Sequence, residues 1–236
     1  IEVLKLRKEY VDAYKNLAIV YIKSEEHENA VEYAKAALEY CQDDYSIYYI
    51  IGTAYMKLKN FEQSVYYFEK ALTFNPDNSQ IYNNLGTSYF TVGNLDKALE
   101  NYRKALDLNN DNPLSYFNIA SVLQVQNKHK EACEYFRKAY EVENDDTYIM
   151  SLAVSEVKAG EITSAIAHYK DLILKYPQKS NFQYNLACCY ELVQDYQNAI
   201  NILKKLLLLN PKSVNMAQKL ANLYLKIDEP VMAKNL

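Results

Sequence analysis

The sequence predicts an all-α protein, a solenoid of antiparallel helix pairs stacked one on the next. Three observations predict it: few turn residues, a composition too apolar for disorder, and a recurring period. The 236 residues contain only 4 Gly and 5 Pro, whereas a β-sandwich or barrel needs turn residues about every 8–12 positions. Half of the residues are hydrophobic and 24% are charged, which excludes an intrinsically disordered chain.

The longest unbroken apolar run is Leu17–Ile22, far short of the ~18 residues that span a membrane. No charged segment followed by an apolar one opens the chain, so no signal peptide is predicted. The formal net charge of -4 argues against a nucleic-acid partner. These features favour a soluble protein.

No pattern in the sequence predicts chemistry. The 4 cysteines and 3 histidines have no zinc-ligand spacing, and neither a phosphate-binding glycine loop nor a nucleophile motif occurs. We therefore expect a protein without catalytic residues, metal or cofactor. Cysteines without disulfide spacing favour a reducing compartment, so we expect a cytoplasmic location.

The period is 34 residues. Gly52 and Gly86 lie one period apart, as do Pro177 and Pro211, and such a period is typical of helical-repeat arrays. We number the positions within each repeat 1–34. The predicted organisation is the tail of a preceding repeat at 1–10, full repeats at 11–44, 45–78, 79–112, 113–145, 146–179 (degenerate) and 180–213, and a partial repeat at 214–236.

Each predicted element follows from these positions. Positions 4, 7, 8 and 11 share one face of a first helix, and positions 20, 24, 27 and 28 share one face of a second helix. Positions 8 and 20 are small in every repeat, as helices that cross at close range require. Helix breakers or caps separate the two helices at Lys59-Asn60, Gly93-Asn94, Ala159-Gly160 and Gln194-Asp195. Proline at position 32 of three repeats ends the second helix.

These residues resemble the tetratricopeptide-repeat (TPR) family. Repeat 79–112 carries the signature residues Tyr82, Leu85, Gly86, Tyr89, Ala98, Tyr102 and Ala105. Repeat 146–179 departs most, with Ile149 at position 4 and Glu156 at position 11, where tyrosine is usual. The resemblance implies a right-handed superhelical solenoid whose concave wall, built from the first helices, binds protein partners.

Asparagine recurs at position 6, which the packing pattern leaves facing outward on the first helix. An amide offers a donor and an acceptor and can therefore bind the backbone of an extended peptide. Such spacing is similar to the asparagine ladder of the O-linked N-acetylglucosamine transferase superhelix; the alternative is that asparagine serves packing or solubility there. The residues are Asn16, Asn84, Asn118 and Asn185.

The other outward positions carry an excess of basic residues. Asp12 and Glu191 are the only acids among them, whereas the bases are Lys15, Lys23, Lys57, Lys158, Lys219 and Lys226. The middle repeats offer Asn83, Phe90 and Phe117 instead, and Tyr49 and Tyr184 are further candidates for ligand contact. We expect an extended partner that is apolar in its middle and acidic at its ends; the alternative is a compositional bias toward lysine.

The predicted function is a non-catalytic scaffold that binds an extended peptide along its groove. An alternative is a targeting or regulatory module of a larger enzyme, such as a glycosyltransferase, and a third is an array that self-associates through uncapped ends. The carboxylate clamp of chaperone-binding relatives is not expected, because Ile19, Ile50 and Gln80 occupy its positions. Neither end carries a polar capping helix, so we expect a fragment of a longer array.

Overall fold

The computed structural model describes the backbone of residues 2–234 and the side chains of residues 10–234. Within those residues every regular element is an α-helix, and no helix is long and apolar enough to cross a membrane. The helices are α1 (Glu2–Lys23), α2 (His27–Leu38), α3 (Tyr45–Lys57), α4 (Phe61–Phe74), α5 (Ser79–Thr91), α6 (Leu95–Leu108), α7 (Pro113–Val125), α8 (His129–Val142), α9 (Asp146–Ala159), α10 (Ile162–Lys175), α11 (Ser180–Leu192), α12 (Tyr196–Leu209), α13 (Val214–Lys226) and α14 (Pro230–Lys234).

The chain divides into two compact units. Unit 1, residues 1–122, holds α1 to α6 and most of α7, and unit 2, residues 123–236, holds the remainder. From α1 to α6 in unit 1 and from α8 to α14 in unit 2, helices that follow one another in sequence pack side by side. Both units therefore have the repeated helix-pair arrangement that the sequence predicts.

The turn inside each repeat is built in the same way in both units. The residue at position 15 has a left-handed backbone, which ends the first helix and reverses the chain. Asn60, Asn94 and Asp195 at position 16 then cap the second helix by accepting from the backbone N–H three residues later. The predicted breakers are thereby confirmed, and the left-handed residues are Glu25, Lys59, Gly93, Asn127, Gly160, Gln194 and Asp228.

Small residues at position 8 let the two helices of a repeat approach closely. A Cβ built on Gly52 would lie 2.8 Å from the ring of Phe68, and one on Gly86 would lie 2.7 Å from the ring of Tyr102. Both rings belong to position 24 and are buried. In repeat 45–78, Ser64 Oγ also donates to the Gly52 carbonyl at 3.0 Å, across the helix pair. The close crossing expected from the sequence is thus present.

The first helix is longer than the helices that follow it. Residues 1–10 were expected to hold the tail of a preceding repeat. In the structure α1 runs unbroken from Glu2 to Lys23, because no Gly, Pro or capping sequence interrupts that stretch. The side chains of Val3, Leu4 and Leu6, on which that expectation was based, lie outside the described residues.

Candidate peptide-binding face

The candidate site is the first-helix face, by which we mean positions 2, 5, 6, 9, 12 and 13 of the first helices. In unit 1 it is carried by α1, α3, α5 and most of α7, and in unit 2 by α9, α11 and α13. Positions 7, 8 and 11 of the same helices supply core residues such as Ile51 and Leu152, which are buried. The packed positions therefore turn the first-helix face away from the core.

In unit 1 the structure brings two predicted site residues together. Asn84 Nδ2 on α5 donates to the Tyr49 hydroxyl on α3 at 3.1 Å. Burial raises the pKa of Tyr49, although this hydrogen bond lowers it in part, so the phenol is neutral at pH 7. This hydrogen bond restricts the orientation of the Asn84 amide. It uses one N–H of the amide, so the carbonyl oxygen and the second N–H remain for a hydrogen bond to a ligand.

The other predicted contacts of unit 1 have different exposures. Asn16 is exposed, whereas Asn118, Phe90 and Phe117 are half-buried. Three of these four side chains are thus partly covered by the helices around them. Their positions allow contact with a ligand through one edge of the side chain.

Asn83 is not placed where the sequence predicted it. Its side chain is only 3% exposed, and its amide and the Ser115 hydroxyl bond each other at 2.9 and 3.1 Å, between α5 and α7. The amide thus satisfies a buried polar contact between neighbouring repeats. The prediction that Asn83 faces a ligand is wrong, because position 5 of this repeat turns toward the next helix.

The lysines of unit 1 fall into two groups. Lys15 Nζ lies 2.7 Å from Asp44 Oδ2 and 3.7 Å from Asp12 Oδ1, and Asp44 also caps α3. The charge of Lys15 is therefore already neutralised. Lys23 and Lys57 are exposed, and no ion pair of theirs occurs within residues 10–234.

In unit 2, Asn185 takes a different tyrosine partner. Its Nδ2 donates to the hydroxyl of Tyr169 on α10 at 3.3 Å. Burial raises the pKa of Tyr169 to about 12, so this phenol too is neutral at pH 7. Asn185 and Lys158 line one pocket on the first-helix face, which brings together two predicted residues from neighbouring repeats.

The remaining lysines of unit 2 are paired with one carboxylate. Glu191 on α11 lies 2.6 Å from Lys219 Nζ and 2.7 Å from Lys226 Nζ, both on α13. Burial acts to raise the pKa of Glu191, but the hydrogen bonds from the two lysines lower it overall. Tyr184 is half-buried and packs against the α11–α13 core.

These pairs change the charge expected for the first-helix face. Asp44 neutralises Lys15, and Glu191 offsets one of the two charges of Lys219 and Lys226, while Lys23, Lys57 and Lys158 are exposed without an ion pair within residues 10–234. The sequence pattern missed Asp44 because this residue belongs to a turn, outside the first-helix positions. The excess of positive charge is therefore smaller than the sequence indicated.

A second polar cluster in unit 2 was not anticipated. Glu156 on α9 is fully buried; its Oε2 lies 2.8 Å from His168 Nδ1, and its Oε1 lies 3.6 Å from Arg137 Nη2. Glu156 occupies position 11, where most repeats have tyrosine. The departure from the tyrosine pattern was visible in the sequence, but the two basic partners lie 12 and 19 residues away along the chain and were not recognised.

The four cysteines are all free thiols. Burial raises the pKa of Cys133 to about 12 and that of Cys189 to about 11. Cys188, on the first-helix face, is half-buried, and burial raises its pKa despite the opposing effect of Lys219. These thiols are therefore protonated at neutral pH and poorly nucleophilic.

Repeated helix pairs with small residues where the helices cross define a helical-repeat protein. Tetratricopeptide-repeat models match residues 43–111 and 77–145, 11–44 and 180–213, and 149–179. The chain belongs to the tetratricopeptide-repeat family, as its signature residues predicted. No curated protein matches it.

Solved structures of other TPR proteins are similar in fold. PilF of Pseudomonas aeruginosa is 20% identical, with a TM-score of 0.73 over 92% of this chain and 99% of that chain. YrrB, a TPR protein with an unusual peptide-binding site, is 19% identical, with a TM-score of 0.69 over 78% of this chain and 95% of its own. MamA is 16% identical, with a TM-score of 0.65 over 74% and 96%.

Proposed function

We propose that this chain is a non-catalytic protein-interaction scaffold that binds an extended segment of a partner on its first-helix face. The observation that carries the proposal is the anchored asparagine. Asn84 and Asn185 each donate one N–H to a tyrosine hydroxyl, which holds the amide in place. The free carbonyl oxygen and N–H hydrogen of such an amide match the donor and acceptor of a peptide backbone.

The physical argument for peptide binding is that the asparagine amides are preorganised. A surface asparagine loses side-chain freedom when it binds a ligand, and that loss opposes binding. The Tyr49 and Tyr169 hydroxyls restrict their amides before the ligand arrives. The family supports the same reading, because TPR folds are typical of protein-interaction scaffolds and YrrB has a peptide-binding site of its own.

The chemistry of the face also restricts the partner. Lys23, Lys57 and Lys158 favour carboxylates on the bound segment, while Phe90 and Phe117 favour apolar side chains near the middle of the chain. We therefore propose a segment with an apolar centre and acidic residues outside it. The backbone amides provide affinity, and the exposed charges govern specificity and association rate.

The proposal is tested by panning a displayed random peptide library against the 236-residue chain and against the double variant Asn84→Ala plus Asn118→Ala. Each lost hydrogen bond costs ~0.5–1.5 kcal/mol, so with one bond lost per asparagine we expect the enriched peptides to bind the double variant about 5- to 150-fold more weakly. Binding is measured by fluorescence anisotropy on synthetic copies of the enriched peptides.

Asn101→Ala is the matched control in unit 1. Asn101 lies on α6, a second helix, and its Nδ2 donates to the Lys97 carbonyl of the same helix. Peptide affinity is expected to be unchanged in this variant. Equal affinity for the wild type and the Asn84/Asn118 double variant would contradict the asparagine ladder, and failure to enrich any peptide would contradict the proposed function.

A further inference from the structure

Unit 2 contains a pocket on its first-helix face, between α9, α10 and α11. Its volume is about 170 Å³. An apolar cavity of ~150 Å³ is large enough to hold benzene, so this pocket has room for one branched aliphatic side chain. The lining residues are Val154, Val157, Lys158, Tyr169, Asn185, Cys188 and Cys189.

The inner part of the pocket is apolar and uncharged. Tyr169 is 2% exposed and Cys189 is fully buried, and burial raises both pKa values, to about 12 and about 11 respectively. The Tyr169 hydroxyl is already bonded to Asn185. Val154 and Val157 complete the lining with aliphatic carbon, which favours an aliphatic guest over a polar one.

The pocket also has two polar groups, Lys158 and Asn185. Lys158 is exposed, and within residues 10–234 no carboxylate forms an ion pair with it. By contrast, Lys219 and Lys226 on the same face are both paired with Glu191. Among the described lysines on the face of unit 2, Lys158 is therefore the one with no carboxylate partner.

Two sequence differences distinguish this part of the face from the related part of unit 1. Met150 stands at position 5, where repeat 45–78 has Tyr49, and Val157 stands at position 12, where that repeat has Met56. With no tyrosine at position 5, Asn185 bonds to Tyr169 at the pocket instead. The shorter side chain of Val157 leaves more space beside it than methionine would.

We infer that this pocket is a specificity site for an aliphatic residue that is followed or preceded by an acidic residue in the bound segment. The inference rests on the proposed peptide-binding function and adds the side chains to be recognised. The aliphatic side chain enters between Val154, Val157 and Cys188. The neighbouring carboxylate pairs with Lys158 Nζ, and the Asn185 amide bonds the peptide backbone between the two.

The test is to pan a random linear library whose C-termini are fused to the coat protein, so that only side-chain carboxylates are available. We expect enriched peptides to contain Leu, Ile or Val next to Asp or Glu. Lys158→Glu reverses the charge at an exposed site, and Val157→Met fills the pocket with the residue of repeat 45–78. Each is expected to weaken binding of these peptides by about tenfold or more.

Lys205→Glu is the matched control, because Lys205 is an exposed lysine on α12, a second helix. It makes the same change in net charge and is expected to leave peptide affinity unaltered. Circular dichroism and amide exchange check that each variant is folded. Since Lys158→Glu alters an exposed side chain, it keeps the test decisive even if Val157→Met disturbs packing.

Three results would overturn the inference, and they differ in meaning. Enriched peptides that bind Lys158→Glu and Val157→Met as tightly as the wild type would exclude this pocket while leaving the proposed function intact. A library in which nothing is enriched over scrambled sequences would contradict the proposed function and this inference together. Peptides enriched in an aliphatic–basic pair would overturn the carboxylate assignment.

Discussion

Position 11 is tyrosine in the first three repeats, all in unit 1, whereas repeat 146–179 of unit 2 has Glu156 there. In unit 1, Tyr55 accepts a hydrogen bond from Lys35 Nζ at 2.9 Å, and Tyr89 donates to Glu69 at 2.6 Å. Both partners belong to position 25 of the preceding repeat. In unit 2 the same pair of positions joins Glu156 to Arg137 at 3.6 Å.

The comparison shows that one contact between repeats accepts two kinds of chemistry. A tyrosine ring packs its apolar body between helices and reaches a polar partner with its hydroxyl. A carboxylate at that position is fully buried and has to be balanced by positive charge. In unit 2, Arg137 at position 25 of the preceding repeat supplies part of that charge. His168, in the same repeat as Glu156, supplies a second polar partner.

Replacing Glu156 with alanine is expected to have the largest effect. Removing one member of a buried pair leaves its partners without compensation, at a cost of ~3–5 kcal/mol. Since His168 and Arg137 are partly exposed, with side-chain exposures of 26% and 46%, we expect the lower end of that range. The free energy of unfolding from guanidinium titration, with amide exchange in α9 and α10, measures it.

Tyr89→Phe is the matched change in unit 1, because it keeps the ring and removes the hydroxyl, which donates to Glu69 and accepts from Lys97 Nζ. We expect a loss of ~1–2 kcal/mol. Glu156→Tyr sharpens the comparison further, since replacing buried ionic groups with packed residues is often neutral or stabilising. If Glu156→Ala were no more harmful than Tyr89→Phe, the buried cluster would not be important for stability.

The next effect concerns position 8, which is glycine in two repeats of unit 1, at Gly52 and Gly86, but alanine in unit 2, as at Ala153 and Ala187. A Cβ on Gly86 would lie 2.7 Å from the buried Tyr102 ring, so Gly86→Ala is expected to cost ~1–3 kcal/mol through overpacking. Ala187→Gly should cost ~1–2 kcal/mol, because it adds backbone freedom and removes a methyl group that is fully buried. Thermal unfolding measures both variants, and an unchanged stability of Gly86→Ala would show that the Tyr102 ring moves aside freely.

A smaller change in the free energy of unfolding is expected for substitutions at the turns. Gln194 adopts a left-handed backbone with φ of 61°, which costs a residue with a Cβ ~1–2 kcal/mol. Gln194→Gly in unit 2 should therefore raise the free energy of unfolding by ~1 kcal/mol. Gly93→Ala in unit 1 should lower it by a similar amount, because Gly93 has φ of 82°. Urea titration measures both, and changes of the same sign in the two variants would contradict the argument.

The smallest effect on stability is expected when two carboxylates that bind lysine are protonated at low pH. Burial acts to raise the pKa values of Asp44 in unit 1 and Glu191 in unit 2. Hydrogen bonds from Lys15 and Ser46 nevertheless lower the pKa of Asp44 overall, and hydrogen bonds from Lys219 and Lys226 lower that of Glu191. A lowered folded-state pKa gives stability above the unfolded value, about 4, which is lost as the pH falls through the folded value.

Asp44→Asn and Glu191→Gln should each reduce the loss of stability between neutral pH and pH ~3. Urea titrations at a series of pH values measure this dependence, and amide exchange in α3 and α11 assigns it to a unit. An unchanged pH dependence in both variants would show that these carboxylates contribute nothing to acid sensitivity.

The sequence predicted much of the fold because one short pattern recurs. The small residues at positions 8 and 20 and the breakers at position 15 identified the helix pairs and their turns. The continuous course of α1 from Glu2 to Lys23 was not predicted, because helix position alone cannot show whether two segments are joined by a turn or by continuous helix. For residues 1–10, the three apolar side chains suited either arrangement.

The candidate site was less predictable for a different reason. Position 5 holds Tyr49 facing Asn84 in one repeat and Asn83 bonded to Ser115 in the next, so equal positions do not have equal surroundings. The charge of the face depended on Asp44, a turn residue that the helical pattern did not include. Such contacts depend on distances between helices, which a one-dimensional pattern does not contain.

The left-handed turn at position 15 also bears on how the chain folds. It joins two helices through a connection of a few residues, so a helical hairpin can form from contacts that are close in sequence. Chains dominated by local contacts fold fast, because little loop entropy is lost before contacts form. In a repeat array, folding can begin in any hairpin and spread to its neighbours, so the most stable hairpin, whichever end it is nearer, sets the starting point.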